Sequence, residues 1–297
     1  MIKALHPYFI AARPKTLVAA GVGVLVGASF GLNPSSLGSW MTLLGCLLFA
    51  TLIQVATNFY NEYYDFLRGA DENRELAPVR LVASGLISPL KIRNFANFLM
   101  GFAFLVGGLT VLYAQASWLY LPFGMICIAS GYGYTGGPFP LAYRGLGDVF
   151  VILFFGLGSV LGTYHLLTIG ESENLGIVTI IGFSLGLVIN NLLVVNNYRD
   201  FENDKLVRKN TTVVLFGKKF GLFLFLVGIL FPPLFCILAN QSFWPLSFTI
   251  ILGLFSFRKL VGAESKNDFD FVLKLTASNV LFTGVLMASL VFKIFHK

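Results

Sequence analysis

Charged side chains are scarce in this chain of 297 residues. Asp, Glu, Lys and Arg together make up 12% of it, while 56% of its residues are hydrophobic. A soluble domain carries about twice that share of charge. Apolar stretches also recur at close to the roughly 20 residues that a helix needs to cross a bilayer. The composition therefore excludes soluble domains and predicts an all-α, polytopic membrane protein.

Cysteine and histidine are also rare, with three residues of each type. The cysteines are isolated within apolar stretches, where we expect small buried side chains. The histidines are far apart and lack ligand spacing, which excludes a zinc site and a His-based nucleophilic triad. The residues concerned are Cys46, Cys127, Cys236, His6, His165 and His296.

The apolar stretches predict nine transmembrane helices, and we expect one integral membrane domain over residues 1–297. The spans cover about 16–32, 41–60, 94–113, 118–135, 149–168, 176–197, 219–238, 243–257 and 274–295. The eighth span is the shortest of the nine.

The 21 Lys and Arg residues lie on one side of these spans, except for Lys293 and Lys297 at the C-terminus. By the positive-inside rule, the N-terminus is cytoplasmic and the C-terminus lies outside. We therefore expect a multi-pass protein of the cell inner (cytoplasmic) membrane, with its basic loops against the anionic leaflet of the lipid bilayer. Because the charges are divided among short loops, we expect no nucleic-acid partner.

The start of the chain also has some features of a cleavable signal peptide. Basic residues up to Lys15 precede an apolar core, which ends in Gly27-Ala28-Ser29. Cleavage there would leave the second span in an orientation that the charge distribution does not explain. We therefore expect the first apolar stretch to be a permanent span.

Two acidic clusters lie where apolar spans meet basic loops, on the side expected to be cytoplasmic. The first follows the second span and the second follows the sixth. Together they hold eight of the fourteen carboxylates: Glu62, Asp65, Asp71, Glu72 and Glu75 in the first, and Asp200, Glu202 and Asp204 in the second. So much negative charge at a membrane boundary is costly unless a cation binds there.

Helical spacing groups the polar residues of each cluster on one face. At 100° per residue, Asn61, Glu62 and Asp65 share a face, and Gly69 is expected to end the helix so that Asp71 can return toward it. In the second cluster, Asn197, Asp200 and Asp204 share a face in the same way. We expect these two faces to meet.

Two facing carboxylate clusters predict a site for Mg²⁺ and a diphosphate. Mg²⁺ takes oxygen ligands from one or two carboxylates and shares its other positions with water and phosphates. Arg68, Arg199, Arg208 and Lys209 are close enough in sequence to bind the remaining phosphate charge. The alternative is that the carboxylates form ordinary ion pairs with loop bases at the membrane surface.

The motifs resemble those of the UbiA superfamily of intramembrane aromatic prenyltransferases, over nearly the whole chain. The matching stretches are Ala12-Arg13-Pro14-Lys15-Thr16, Asn61-Glu62-Tyr63-Tyr64-Asp65 with Gly69 and Asp71, Pro78-Val79-Arg80, Ser84-Gly85-Leu86 and Asn196-Asn197-Tyr198-Arg199-Asp200 through Asp204 to Lys209-Asn210-Thr211. Tyr134-Thr135-Gly136-Gly137-Pro138 and Tyr143-Arg144-Gly145-Leu146-Gly147-Asp148 resemble the MenA branch, which prenylates a dihydroxynaphthoate in menaquinone synthesis.

The resemblance implies nine transmembrane helices around a central cavity that holds a polyprenyl diphosphate. It implies that Asp65, Asp71, Asp200 and Asp204 are catalytic and bind Mg²⁺ with Asn61 and Glu62, and that Asn61 and Asn197 help to hold the diphosphate. It further implies that Arg13, Tyr134 and Arg144 contact the aromatic acceptor, a dihydroxynaphthoate whose carboxylate leaves as carbon dioxide. The segment from Pro78 to Ser84 would form a lid that keeps water from the carbocation.

Two positions depart from the pattern of that family. Position 62 is Glu where such sequences more often carry Asp, which lengthens the side chain and puts the role of Glu62 as a metal ligand in doubt. Position 69 is Gly where the hydroxybenzoate-specific relatives carry an acid, and we expect Asp71 to replace it.

Other functions fit the sequence less well. One alternative is a prenyltransferase of the same superfamily that acts on another aromatic acceptor. A secondary transporter would place its polar groups near the bilayer midplane at broken helices, whereas these carboxylates lie at the membrane edge. A phosphatidyltransferase would carry an Asp-x-x-Asp-Gly run with a downstream pair of Asp, which is missing here.

Overall fold

The computed structural model describes residues 2–71, 76–78, 80–170 and 173–296, and within these ranges the regular structure is helical, without β-strands. Glu72 and Glu75 of the first acidic cluster lie outside the described residues. The helices are α1 (Ile2–Ala11), α2 (Pro14–Ala28), α3 (Leu37–Leu67), α4 (Pro89–Tyr113), α5 (Tyr120–Gly133), α6 (Gly147–Val151), α7 (Ser159–Thr168), α8 (Leu175–Arg199), α9 (Phe201–Leu206), α10 (Thr212–Phe216), α11 (Lys218–Ala239), α12 (Thr249–Val261) and α13 (Lys266–Phe295). Two 3-10 segments (Leu141–Tyr143 and Gln241–Phe248) and a π-helical segment (Ile152–Gly158) complete the set.

Seven helical segments of the described chain are long and apolar enough to cross a membrane. They are Leu37–Leu67, Pro89–Tyr113, Gly147–Thr168, Leu175–Arg199, Lys218–Ala239, Gln241–Val261 and Lys266–Phe295. The chain is therefore a helical membrane protein, as the composition predicts.

The predicted count of nine spans is not confirmed, because two of the predicted spans are short helices. The span at 16–32 corresponds to α2, which has 15 residues, and the span at 118–135 corresponds to α5, which has 14. At 1.5 Å per residue these helices are only about 20 Å long, less than the roughly 30 Å of a bilayer's hydrocarbon core.

Proline and short polar residues determine where several helices begin. Pro14 and Pro89 occupy the first turns of α2 and α4, where no backbone donor is needed. Ser36 precedes α3, and its side chain accepts a hydrogen bond from the Ser39 amide at 3.3 Å. Ser265 and Asp268 form a reciprocal capping box at the start of α13.

Small residues allow the helices around α8 to pack closely. Helix α8 is the most buried of the candidate spans and packs against α11, α13 and the π-helical segment. A Cβ atom added to Gly156 of that segment would lie 2.5 Å from the Gly186 Cα of α8, and one added to Gly27 of α2 would lie 2.4 Å from the Val160 carbonyl oxygen. Larger residues at either position would separate the helices that surround the cavity described below.

Candidate active site

The first acidic cluster lies at the end of α3, where one arginine binds three carboxylates. Arg80 Nη1 donates to Glu62 Oε1 at 2.9 Å, and Nη2 donates to Asp65 Oδ2 at 3.1 Å. Arg80 Nε lies 3.1 Å from Asp71 Oδ1, and all four side chains are buried. Buried carboxylates so close together repel one another unless a cation lies among them. Arg80 supplies that positive charge here.

Glu62 also holds the segment that follows Arg80. The Leu81 amide donates to Glu62 Oε2 at 2.9 Å, and Arg13 Nη2 lies 3.6 Å from Glu62 Oε1. Both carboxylate oxygens of Glu62 therefore have partners within the protein. Glu62 joins the start of α2, the end of α3 and the segment at Leu81.

The chain turns back after α3 as the sequence predicts. Helix α3 ends at Leu67, Gly69 has a φ of 68°, and the Ala70 amide donates to the Asp65 carbonyl at 2.9 Å. Glycine adopts this left-handed conformation at little steric cost. The turn brings Asp71 to Arg80, so the predicted return of Asp71 toward the α3 face is confirmed.

The second acidic cluster lies where α8 ends and α9 begins. Arg199 binds the neighbouring Asp200 through two hydrogen bonds, from Nε to Oδ1 at 2.7 Å and from Nη2 to Oδ2 at 2.9 Å. Both residues are buried, as are Asn197 and Asp204. Paired hydrogen bonds of this kind fix the orientation of both side chains.

The two clusters meet, as their helical faces predict. Lys209 Nζ lies 3.7 Å from Asp65 Oδ2 of the first cluster and 3.8 Å from Asp204 Oδ1 of the second. Asn203 Nδ2 donates to the Ala70 carbonyl at 2.7 Å, which joins α9 to the turn after α3. The two groups of carboxylates therefore belong to one site.

Tyr143 completes the surroundings of Asp65. Its hydroxyl donates to Asp65 Oδ1 at 2.8 Å. Burial first, and then the negative charge of Asp65, raise the pKa of Tyr143 above its ordinary value. The hydroxyl thus keeps its proton and remains a donor. The Arg68 guanidinium carbon lies 4.8 Å from the centroid of the Tyr143 ring, a cation–π contact that helps to hold the ring in place.

The site opens into a cavity of about 330 Å³ that has one polar and one apolar region. The polar wall includes Asp65 of the first cluster and Asp200 and Asp204 of the second. The apolar wall is formed by side chains of α3, α4, α5, α7 and the π-helical segment, namely Phe49, Phe104, Phe123, Phe154 and Leu166. A ligand with a charged head and a long apolar tail matches these two regions.

The comparison with known families decides what kind of site this is. Residues 20–288 match the UbiA prenyltransferase family. The chain belongs to that family. The membership agrees with the resemblance of the motifs and covers nearly all the helices described above.

Individual UbiA relatives are similar over about 70% of the chain. The 1,4-dihydroxy-2-naphthoate octaprenyltransferase of Haemophilus influenzae is 36% identical over 223 residues, which cover 72% of this chain and 70% of the relative. The protein of the same name from Mycobacterium leprae is 35% identical over 206 residues, covering 69% and 68% respectively.

A solved structure shows the same fold. A UbiA homolog from Archaeoglobus fulgidus, bound to DMAPP and Mg²⁺, superposes with a TM-score of 0.66 at 19% identity. The match covers 97% of this chain and 99% of the other. At this identity, the similarity establishes the UbiA fold alone.

The cavity wall contains most of the residues that the sequence nominates for the site. These residues are Arg13, Asn61, Asp65, Tyr134, Asn197, Arg199, Asp200, Asp204 and Lys209. Glu62 and Asp71 contact Arg80 instead and do not line the cavity.

Three nominated arginines lie elsewhere. Arg68 Nη1 donates to the Thr135 carbonyl and holds the turn before Pro138. Arg144 is exposed, with its guanidinium carbon 3.7 Å from the centroid of the Phe139 ring. Arg208 is exposed in the turn after α9. Each would have to move to contact a substrate in the cavity.

The donor set of the UbiA site fits Mg²⁺ in its chemistry. Asp65, Asp200 and Asp204, with Asn61 and Asn197, present hard oxygen ligands to one cavity. As placed, no three acidic, His or Cys side chains of the described chain are arranged to hold a metal ion. Basic side chains contact these carboxylates instead, so metal binding would require them to give up some of those contacts.

Three residues of this site were not nominated as functional from the sequence. Arg80, Tyr143 and Asp148 each lie within a family motif, but sequence spacing does not show which charges they contact. Arg80 follows Asp65 by 15 residues and binds it only because the chain turns back. Asp148 offered one signal, since it is a carboxylate at the edge of an apolar span.

Proposed function

We propose that this protein transfers a polyprenyl group from an all-trans polyprenyl diphosphate to a dihydroxynaphthoate, with loss of carbon dioxide, to give demethylmenaquinol in menaquinone synthesis. Membership of the UbiA family and the names of the similar relatives support this reaction. The structural observation that carries it is the convergence of both acidic clusters, through Lys209, at the polar end of a cavity with an apolar extension.

The cavity would hold the prenyl donor with its diphosphate at the carboxylate clusters and its tail along the aromatic wall. Asp65, Asp200 and Asp204 with Asn61 and Asn197 would hold Mg²⁺, and Lys209 and Arg199 would bind phosphate oxygens. When bound, Mg²⁺ would help to stabilise the charge that develops on the leaving diphosphate. Glu62 would act mainly by positioning Arg80 and the segment at Leu81.

The chemical step balances without an added acid or base. The allylic C–O bond breaks, and its electron pair leaves on the diphosphate. An electron pair of the naphthoate ring then forms the new C–C bond between the ring carbon that carries the carboxylate and the allylic carbon. The bond from the ring to the carboxylate breaks, its electron pair restores the aromatic ring, and carbon dioxide departs. The protein must orient the ring and exclude water while the allylic cation exists.

The segment around Arg80 supports the exclusion of water. Its backbone is attached to α3 through the Leu81 amide and Glu62, and Leu81 and Val82 are buried in a cluster with Phe59 and Ile92. We propose that this segment acts as a lid over the diphosphate. Its release would depend on the contacts between Arg80 and the carboxylates below it.

The same proposal includes an orientation and a domain organisation. Residues 1–297 would form one integral prenyltransferase domain in the cytoplasmic membrane. The N-terminus and both carboxylate clusters would face the cytoplasm, from which the diphosphate group of the prenyl donor is accessible. The C-terminus would lie outside. The distribution of Lys and Arg supports this orientation.

The acceptor is tested by direct assay of the purified protein with Mg²⁺ and an all-trans polyprenyl diphosphate. We expect consumption of a dihydroxynaphthoate, with carbon dioxide and diphosphate released in equal amounts. We expect no reaction with 4-hydroxybenzoate, whose single ring and lone hydroxyl would leave polar groups of the pocket unpaired. Prenylation of 4-hydroxybenzoate without reaction on a naphthoate would leave the family assignment unchanged but would show that the proposed acceptor is wrong. Transport without diphosphate release would contradict the enzyme assignment.

Gly108 of α4 provides a test of the tail channel. It lines the cavity, and a Cβ atom added there meets no other atom within 4 Å. Gly108→Leu should therefore fold but place a side chain in the path of the prenyl tail. We expect kcat/KM for a long-chain donor to fall at least about tenfold, while a donor of one or two isoprene units is affected less than about threefold.

Gly101 on the same helix is the matched control. A Cβ atom there also meets nothing within 4 Å, but Gly101 does not line the cavity. Gly101→Leu should leave the preference for donor length unchanged. If Gly108→Leu reduced activity with short and long donors equally, the tail would not follow this wall.

A further inference from the structure

One carboxylate in the cavity wall belongs to neither acidic cluster. Asp148 lies at the start of α6 and is only 6% exposed. It lines the cavity and opens the candidate span Gly147–Thr168. An ionisable side chain at such a place in a membrane protein usually has a functional partner.

Among the residues that the structure describes, the hydrogen-bond partners of Asp148 are neutral. Asn190 Nδ2 donates to Asp148 Oδ1 at 2.9 Å, and Thr212 Oγ1 donates to Asp148 Oδ2 at 2.6 Å. Within the described ranges, no Lys or Arg forms an ion pair with it. Because a carboxylate has about four lone-pair sites, each oxygen can still accept a hydrogen bond from a ligand. A buried carboxylate without a cation is costly unless such bonds compensate it.

Tyr134 and Thr135 connect Asp148 to the proposed metal site. A Cβ atom added to its neighbour Gly147 would lie 3.1 Å from the Tyr134 hydroxyl, which places Tyr134 beside Asp148. The next residue, Thr135, donates to Asn61 Oδ1 of the first cluster at 2.8 Å. A planar molecule bound at Asp148 would therefore lie in the same part of the cavity as Asn61 of the proposed metal site.

We infer that Asp148 binds the aromatic acceptor by accepting a hydrogen bond from one of its ring hydroxyl groups. This inference rests on the proposed prenyl transfer and assigns the acceptor's place in the cavity. Asn190, which does not line the cavity, and Thr212, which does, each donate to one carboxylate oxygen and fix the orientation of the carboxylate, which leaves its remaining lone pairs for a ligand in the cavity. Neither acidic cluster can serve the same purpose, because its carboxylates are bound by basic side chains and face the diphosphate.

The interaction would also favour the reaction. A hydroxyl that donates to a carboxylate shares its proton, which raises the electron density of the ring that attacks the allylic carbon. No proton leaves the acceptor, because the departing carbon dioxide restores the aromatic ring. Asp148 therefore needs only to accept a hydrogen bond.

The test compares acceptors with and without each hydroxyl in two proteins. Wild type and Asp148→Asn are assayed with 1,4-dihydroxy-2-naphthoate, 1-hydroxy-2-naphthoate and 4-hydroxy-2-naphthoate. The acceptor that lacks the hydroxyl bound by Asp148 should have a lower kcat/KM than the dihydroxy acceptor. This reduction should be about 10- to 100-fold larger in wild type than in Asp148→Asn, as expected for a hydrogen bond to a charged group. Intrinsic differences in ring reactivity cancel, because both proteins meet the same acceptors.

Two further variants separate acceptor binding from a purely structural role. Asn191→Ala changes the residue that follows Asn190 in α8. Asn191 Nδ2 donates to the Phe225 carbonyl at 3.2 Å, and the residue does not line the cavity. The substitution should reduce thermal stability but keep wild-type discrimination between hydroxylated and deoxy acceptors. Thr212→Val removes one donor to Asp148 and should weaken that discrimination partly, which tests the inference even if Asp148→Asn does not fold.

The outcomes distinguish this inference from the proposed function. If wild type prenylates naphthoates but Asp148→Asn and Thr212→Val show the same hydroxyl dependence as wild type, Asp148 does not bind the acceptor. If wild type prenylates a different phenol, the proposed acceptor is wrong, and the same comparison with that phenol and its methyl ether still decides the role of Asp148. Binding of a labelled prenyl diphosphate should be unchanged in Asp148→Asn.

Discussion

Asp65→Asn and Asp200→Asn should each reduce prenyl transfer by about 10³-fold or more, a loss of roughly 4 kcal/mol in transition-state stabilisation. Both carboxylates line the polar end of the cavity, one from each cluster. Each substitution keeps the size of the side chain but removes a negative charge that the proposed complex of Mg²⁺ and diphosphate would need. Turnover with a saturating prenyl donor and a dihydroxynaphthoate measures the effect.

The control for this loss is a carboxylate of the same region that faces solvent. Glu202 of α9 lies in the second cluster, but its side chain is 77% exposed and lies 3.8 Å from Lys218 Nζ. Glu202→Gln should keep turnover within about threefold of wild type. Turnover within tenfold of wild type for both Asp65→Asn and Asp200→Asn would contradict the metal-site assignment. Melting temperatures in detergent show whether any of the three variants is misfolded.

The sequence predicts the membrane class and the helix positions well because hydrophobic length is a local property. Each apolar stretch must satisfy its backbone internally, and only a helix does so without a partner. The ends are harder to predict. Helix α2 begins directly after Arg13, which has a φ of 53°. Helix α5 ends before the turn at Gly137, which has a φ of 69°. Such turns shorten two helices without changing the apolar pattern.

The site is predictable only as far as helical faces determine it. Asn61 and Asp65, one turn apart, both line the cavity because the α-helical period places them together. The position of Arg80 depends instead on the turn after α3 and on three buried carboxylates, Glu62, Asp65 and Asp71. The same limit explains Arg144, which stacks on Phe139 at the surface although its motif suggests an acceptor contact. Loop geometry of this kind has no periodic signal in the sequence.

Arg80→Gln should destabilise the protein by about 3–5 kcal/mol, because it leaves buried carboxylates without the cation that lies among them. Arg80 contacts Glu62, Asp65 and Asp71, so no single remaining contact replaces it. The melting temperature in detergent without divalent metal should fall clearly below that of wild type. Arg258→Gln, an exposed arginine at the end of α12, is the matched control and should change it little.

Added Mg²⁺ should restore much of the stability lost in Arg80→Gln, because a divalent cation can occupy the space among the same carboxylates. A ligand that binds only the folded state stabilises it by about 2.7 kcal/mol at a concentration 100 times its dissociation constant. Wild type should gain less, since Arg80 would compete with the metal for Asp65. The double variant Arg80→Gln with Glu62→Gln should be more stable than Arg80→Gln alone, because fewer uncompensated charges remain. If Mg²⁺ shifted the melting temperatures of wild type and Arg80→Gln equally, Arg80 and the metal would not share these carboxylates.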